Sequence, residues 1–157
     1  MPTFGTKSKA ALVTCHPLIV RAANLAIRHW DLTVIYGFRG EDLQDDLVRR
    51  GLSKTPWPQS QHNHLSDERD VEEGWAEEVG QPLSLAFDWA PWHTATPHVR
   101  WNRSEEFYHL AGLIMGISQE LLFEAGFRWR YGGDWDSDQD LRDQTFMDLG
   151  HLELRRN

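Results

Sequence analysis

Three short stretches of the chain carry residues that could hold a metal ion. DLGHLEL places Asp148 three positions before His151, LAFDWA places Asp88 inside an apolar stretch, and SQHNH offers His62 or His64. Two imidazoles and one carboxylate are the usual protein ligands of a catalytic zinc, which keeps its fourth position for water. A carboxylate in an apolar strand also implies a partner charge, because burying it unpaired is costly. These residue types therefore indicate a catalytic metal site.

The elements that must position these residues follow from the apolar pattern. Alternation predicts strands at 32–39, 82–91, 127–133 and 146–154. Helical spacing predicts helices from Pro17 toward Trp30, over 40–51, and from Ser104 as N-cap to Gly126. In the last strand, His151 and Glu153 share the polar face. Helices and strands are mixed along the chain without regular βαβ units, which predicts an α+β fold.

Length and composition describe one globular domain. The chain has 157 residues, of which 40% are hydrophobic and 25% charged, and a formal net charge of -8. This acidity argues against sequence-independent binding to nucleic acid, which needs clustered basic residues. The single cysteine, Cys15, excludes an internal disulfide. No apolar run is long enough to span a membrane. The apolar run near the N-terminus lacks a convincing signal-peptidase cleavage site, so we expect a cytosolic protein without a signal peptide.

The motifs SQHN, PLSLAFDWAP, GGDW and DLGHLEL, in this order, resemble the zinc peptidases of bacteriophage endolysins that cleave the L-alanyl-D-glutamate bond of peptidoglycan. These are relatives of the D-alanyl-D-alanine carboxypeptidases. FGTKSKAALVTCHPL, GFRGEDLQDDLVRRGLSKT and VRWNRSEEF extend the resemblance along the chain. It implies one zinc peptidase domain over residues 1–157, with a small antiparallel sheet flanked by helices, as in the Hedgehog and D-alanyl-D-alanine peptidase folds. It also implies a monomer that acts on bacterial peptidoglycan.

The same resemblance assigns roles to individual residues. It makes His62, Asp88 and His151 the zinc ligands, Asp148 the general base and Arg39 the electrophilic helper. These roles are chemically consistent, because zinc acidifies its bound water, a nearby carboxylate can accept the proton, and a fixed cation can stabilise an oxyanion.

Three further positions receive supporting roles. Ser60 matches the serine before the first ligand, and Gln44 matches the glutamine in the helix after the arginine, so both are expected to bind substrate. Glu153 lies on the strand face of His151 and is expected to contact that ligand from behind.

One segment departs from the family pattern. The family has only a few residues between the first histidine and the aspartate, whereas 26 positions separate His62 from Asp88 here. The acidic insertion at about 64–81 has helical features, with Ser66 as a possible cap and apolar residues at four-residue spacing: Val71, Trp75 and Val79. We expect either a lid over the substrate cleft or a solvated surface helix. The insertion also leaves His64 as an alternative to His62, although the neighbours of His62 match the family better.

The prediction from the resemblance is a zinc-dependent endolysin that hydrolyses the L-alanyl-D-glutamate bond and needs a holin to leave the host cytoplasm. A D-alanyl-D-alanine carboxypeptidase shares the motif and is one alternative. A zinc-containing binding domain without catalysis, as in the Hedgehog signalling domain, is another. Asp148 favours an enzyme, because a binding domain needs no base beside the metal.

An acidic run suggests a third alternative, a calcium-dependent wall-binding module. Aspartates stand at alternate positions as in a calcium loop: Asp134, Asp136, Asp138 and Asp140. However, Gln139 and Thr145 occupy positions where such a loop needs glycine and glutamate. An acidic surface loop therefore explains the run as well.

Overall fold

A four-stranded antiparallel sheet of order β1–β2–β4–β3 forms the centre of the computed structural model, which describes residues 1–157. Its strands are β1 (Leu32–Tyr36), β2 (Ala86–Pro91), β3 (Phe127–Tyr131) and β4 (His151–Arg156). The helices are α1 (Thr6–Leu12), α2 (Pro17–Ala26), α3 (Glu41–Arg49), α4 (Glu68–Glu72) and α5 (Ser104–Glu124), and Gln61–Asn63 forms a single 3-10 turn. The predicted α+β class with a small antiparallel sheet is confirmed.

One face of this sheet packs against helices and forms the core. Helix α5 contacts α2, β2 and β3. Phe87 and Trp89 from β2 and Leu152 and Leu154 from β4 are fully buried there. Because side chains alternate along a strand, Asp88, His151 and Glu153 lie on the opposite face. None of the helices combines the length and the apolar character that a membrane-spanning helix needs.

Several elements differ from the sequence prediction at their ends. Helix α1 was not predicted, and α5 begins at Ser104 itself, with Arg103 at the cap position. Strand β2 begins only at Ala86, because the residues before it pair with other loops, as in the bridge between Cys15 and Ser84. Strand β4 begins at His151, so the preceding residues 146–150 form a loop rather than a strand.

The inserted segment contains a short surface helix, but its cap differs from the predicted one. Asp67, not Ser66, caps the short helix α4, and Ser66 instead donates a hydrogen bond to the carbonyl of Glu78 at 2.6 Å. The Trp75 ring packs against His16, with ring centroids 4.7 Å apart, and against Phe127. The segment lines neither cavity beside the predicted site. Most of its residues are exposed, including three of the five in α4, so it is a surface segment that Trp75 and Ser66 anchor to the rest of the fold.

Candidate metal centre

The pairing of β2 with β4 brings the predicted ligands together. Asp88 lies opposite His151 in the register, and the 3-10 turn delivers His62 to the same point. Asp88 Oδ1 is 2.9 Å from His151 Nδ1 and 3.2 Å from His62 Nε2, and the two imidazole nitrogens are 3.3 Å apart. Three side chains distant in sequence thus converge on one point.

Each histidine makes a hydrogen bond on the side away from Asp88, and this bond determines which ring nitrogen carries the proton. His62 Nδ1 is 2.6 Å from the carbonyl of Gly37, and His151 Nε2 is 3.1 Å from Glu153 Oε2. Oxygen atoms of these kinds only accept, so both of these nitrogens must carry the proton. The other ring nitrogens, His62 Nε2 and His151 Nδ1, then carry no proton. Together with Asp88 Oδ1 they direct three lone pairs at one point. Three lone pairs this close repel one another unless a cation lies between them, so the residues fit a divalent metal ion.

Burial supports the neutral form of the first histidine. His62 is fully buried, and desolvation, followed by the positive charge of Arg39, lowers its pKa well below the usual range. A neutral imidazole is the form that binds metals.

Glu153 supports His151 from behind, as the sequence predicted. Burial raises the pKa of Glu153, but the hydrogen bonds from His151 and Arg130 and the positive charge of Arg155 outweigh this effect and lower it to about 2. Arg130 Nη1 donates to Glu153 at 3.1 Å, and Arg155 Nη2 does so at 2.7 Å. The carboxylate is therefore ionised and holds the His151 ring in its orientation.

Ser60 positions the turn that carries His62. Its hydroxyl oxygen accepts a hydrogen bond from the His62 amide at 3.2 Å, and Asn63 Oδ1 accepts one from the Ser60 amide at 3.1 Å. Ser60 also lines the cavity beside the metal centre. His64 lies outside the cluster, because its imidazole pairs with Asp70 at 2.7 Å.

Gln44 is placed differently from the substrate contact that the resemblance implied. Its side chain is fully buried and lines neither cavity beside the centre. Its amide nitrogen donates to the Thr55 carbonyl at 2.6 Å and to Ser53 at 3.0 Å, while its oxygen accepts from Asn63 at 3.3 Å. Gln44 thus fastens α3 to two loops, with its side chain buried away from both cavities.

The loop before β4 presents Asp148 beside the metal centre. The Asp148 amide donates to the Gly132 carbonyl at 2.9 Å, and the His151 amide donates to the Asp148 carbonyl at 3.1 Å. A Cβ atom at position 132 would overlap the Asp148 carbonyl oxygen, so glycine is needed for this close approach. The residue lines both cavities beside the centre.

Arg39 also reaches the centre, from the loop that follows β1. Its guanidinium donates to Asp88 Oδ2 and lies 4.9 Å from the centre of the Tyr36 ring. Burial lowers its pKa to about 10, an effect that Asp148 and Tyr36 oppose. The side chain is therefore a buried cation at neutral pH.

Two cavities flank the centre, and both are lined by Arg39 and Asp148. We call the first, about 350 Å³, the polar cavity, because 15 of its 18 lining residues are not hydrophobic. We call the second, about 600 Å³, the apolar groove, since nine of its 14 lining residues are hydrophobic. The sequence did not predict several residues of the polar cavity: Lys54, Arg130, Trp135 and Arg155. Their neighbourhood depends on strand order and loop packing, which no local pattern reports.

The acidic run forms an exposed turn after β3. Carboxylate oxygens of Asp134, Asp136 and Asp138 lie within 4.8 Å of one another. Each carboxylate accepts a hydrogen bond from inside the loop, given by the Gln139 amide, the Gln144 side chain and the Asp140 amide respectively. The interpretation as an acidic surface loop accounts for these contacts.

Comparison with known proteins identifies the family to which the chain belongs. The family model described as phage L-alanyl-D-glutamate peptidase matches residues 2–155. No curated protein sequence matches significantly. Among solved structures, the L-Ala D-Glu endopeptidase ChiX of Serratia marcescens has a similar fold, with a TM-score of 0.62, 21% identity, and coverage of 98% of this chain and 90% of that one. The chain therefore belongs to the phage L-alanyl-D-glutamate peptidase family and is a peptidase that acts on peptidoglycan, as its motifs predict.

Proposed function

We propose that the enzyme is a zinc-dependent endolysin that hydrolyses the amide between L-alanine and D-glutamate in the peptidoglycan stem peptide. The observation that carries this proposal is the convergence of three lone pairs from His62, Asp88 and His151 beside an open cavity. Two imidazoles and one carboxylate suit a catalytic zinc, whose remaining position is left for water or substrate.

The residues around the centre supply the remaining chemistry. A bound zinc lowers the pKa of its water to about 7 and polarises the scissile carbonyl. Asp148 accepts the proton of the attacking water and donates it to the departing amine nitrogen of D-glutamate. Arg39 presents its cation to the negative charge that develops on the carbonyl oxygen. Ser60, at the rim of the polar cavity, contacts the substrate backbone.

The wider organisation of the molecule completes the proposal. We expect residues 1–157 to fold as one domain, including the segment 64–81, and to act as a monomer. We expect no nucleic-acid or membrane partner. In this proposal the enzyme is made in the host cytoplasm and reaches the wall through a holin.

The ligand assignment is tested by metal content. His62→Ala removes one of three ligands, so purified protein should lose zinc and hydrolysis together. His64→Ala is the matched control, because that imidazole pairs with Asp70 outside the cluster and should leave both unchanged. Zinc is measured by elemental analysis, and activity by release of soluble fragments from purified peptidoglycan. Loss of zinc in His64→Ala with retention in His62→Ala would contradict the assignment.

The bond assignment is tested by mass analysis of the released fragments. Cleavage after L-alanine leaves that residue on the glycan and frees peptides with a D-glutamate amino terminus. Release of D-alanine alone would instead identify a carboxypeptidase. A zinc-loaded protein that releases nothing would support the binding-domain alternative.

A further inference from the structure

The polar cavity is positively charged within an acidic protein. Its lining contains four cations and two carboxylates, an excess of two positive charges, whereas the whole chain carries a net charge of -8. These charged residues are Arg39, Lys54, Arg130, Asp148, Glu153 and Arg155. A cleft of one sign concentrates ligands of the opposite sign. The cavity therefore favours an anionic part of a substrate.

The cations of this cavity are not equivalent. Arg39 donates to Asp88, and Arg130 and Arg155 both donate to Glu153. Lys54 has no carboxylate within salt-bridge distance, and its ammonium group lies 4.8 Å from the centre of the Phe146 ring. It also touches none of the proposed metal ligands. Lys54 is thus the cation of the cavity that is available to a new anion.

The chemistry of the proposed substrate supplies such an anion. D-glutamate in the stem peptide continues the chain through its side-chain carboxyl group, so its α-carboxylate is free and lies two bonds from the scissile nitrogen. The half that leaves as the amine therefore carries a negative charge next to the reacting bond. The other half, L-alanine joined to the lactyl group of the glycan, carries methyl groups. The apolar groove, lined by Trp101, Phe107, Met147 and Leu149, suits that half.

We propose that Lys54, aided by the field of Arg130 and Arg155, binds the free α-carboxylate of D-glutamate. This subsite orients the substrate across the metal centre, with the leaving half in the polar cavity and the L-alanyl half in the apolar groove. It rests on the proposed function, and it explains how the enzyme distinguishes this amide from others in the wall. Lys54 is a specificity residue and takes no part in bond cleavage.

Two synthetic substrates test this subsite. They are stem peptides identical except that one carries D-glutamate with a free α-carboxylate and the other its α-amide, D-isoglutamine. Wild type should favour the carboxylate by about tenfold in kcat/KM, a value between that of an exposed ion pair and a buried charge-assisted bond. Lys54→Gln should lose this preference by slowing only the carboxylate substrate. Lys54→Arg should retain most of it.

The control variant is Lys9→Gln, which removes the same charge from an exposed position in α1. It should keep the wild-type preference. Binding of a synthetic peptide with D-glutamate at its amino terminus, in the carboxylate and the amide form, makes the same comparison by calorimetry without turnover. Equal cleavage of both substrates by wild type, or an equal loss on both in Lys54→Gln, would overturn the subsite and leave the proposed function standing. A zinc-loaded wild type that cleaves neither substrate would overturn both.

Discussion

At the scale of single residues, hydrogen bonds orient the side chains of the candidate metal centre. The Gly37 carbonyl and Glu153 each accept a proton from one histidine and leave the other nitrogen of that ring free to coordinate. Such outer contacts orient metal ligands, and losing them typically costs tenfold to a hundredfold in affinity or activity. Unlike the two histidines, the Asp148 side chain is not held by a hydrogen bond from the protein. Asp148 lines both cavities.

The first residue-scale prediction concerns this carboxylate. Asp148→Asn preserves shape and all three proposed ligands, but an amide cannot accept the proton of water at neutral pH. Zinc content and thermal stability should stay near wild type, while peptidoglycan hydrolysis falls by about a hundredfold to ten-thousandfold. Asp42→Asn, an exposed change of the same charge in α3, is the control and should have no effect. Hydrolysis at the wild-type rate by Asp148→Asn would refute the role of a base.

At the scale of elements, the antiparallel register of β2 and β4 is the decisive feature, since it sets Asp88 opposite His151. The inserted segment contributes elsewhere. Its Trp75 ring packs against the rings of His16 and Phe127, which also contact each other, and Arg156 at the end of β4 pairs with Glu73 at 2.8 Å. The segment therefore packs against the start of β3 and the end of β4, and it lines neither cavity.

An element-scale prediction follows from this packing. Trp75→Ala should lower the free energy of unfolding by about 2–4 kcal/mol, because it removes a large, partly buried aromatic ring. Metal content and activity at low temperature should not change, since the segment lines neither cavity. Urea unfolding measures the effect, with Val79→Ala, 59% exposed, as a control expected within about 0.5 kcal/mol of wild type. An equal effect of both variants would show that the segment does not support the core.

At the scale of the whole molecule, the buried His16 makes the free energy of unfolding depend on pH. It is fully buried at the start of α2, where its Nδ1 accepts a hydrogen bond from the Leu18 amide at 3.2 Å. Burial lowers its pKa to about 4; Asp70 opposes this effect and Arg156 adds to it. The unfolded chain, whose histidine has a pKa of about 6.5, therefore takes up a proton before the folded protein does. Below that pH, His16 increasingly favours unfolding.

The corresponding prediction is a pH slope. Between pH 7 and 4.5, His16 should remove about 2 kcal/mol from the free energy of unfolding, in addition to the contributions of other groups. His16→Asn keeps a residue that caps helices well but cannot titrate there. Its unfolding free energy should therefore fall less steeply on acidification, as measured by urea unfolding at fixed ionic strength. Parallel pH profiles for wild type and variant would contradict the prediction, whatever their offset.

The sequence by itself predicted the family, the α+β class, and Asp88 and His151 as two residues that meet at the candidate metal centre. It could do so because the motifs are chemically specific, and because alternation from Gly150 onward places His151 and Glu153 on one polar strand face. Only the tertiary structure decided which loop histidine joins Asp88, since a turn and a strand register choose between His62 and His64. The burial of Gln44, the docking of the inserted segment and the charge of the polar cavity depend on contacts between distant elements, and no local periodicity encodes those contacts.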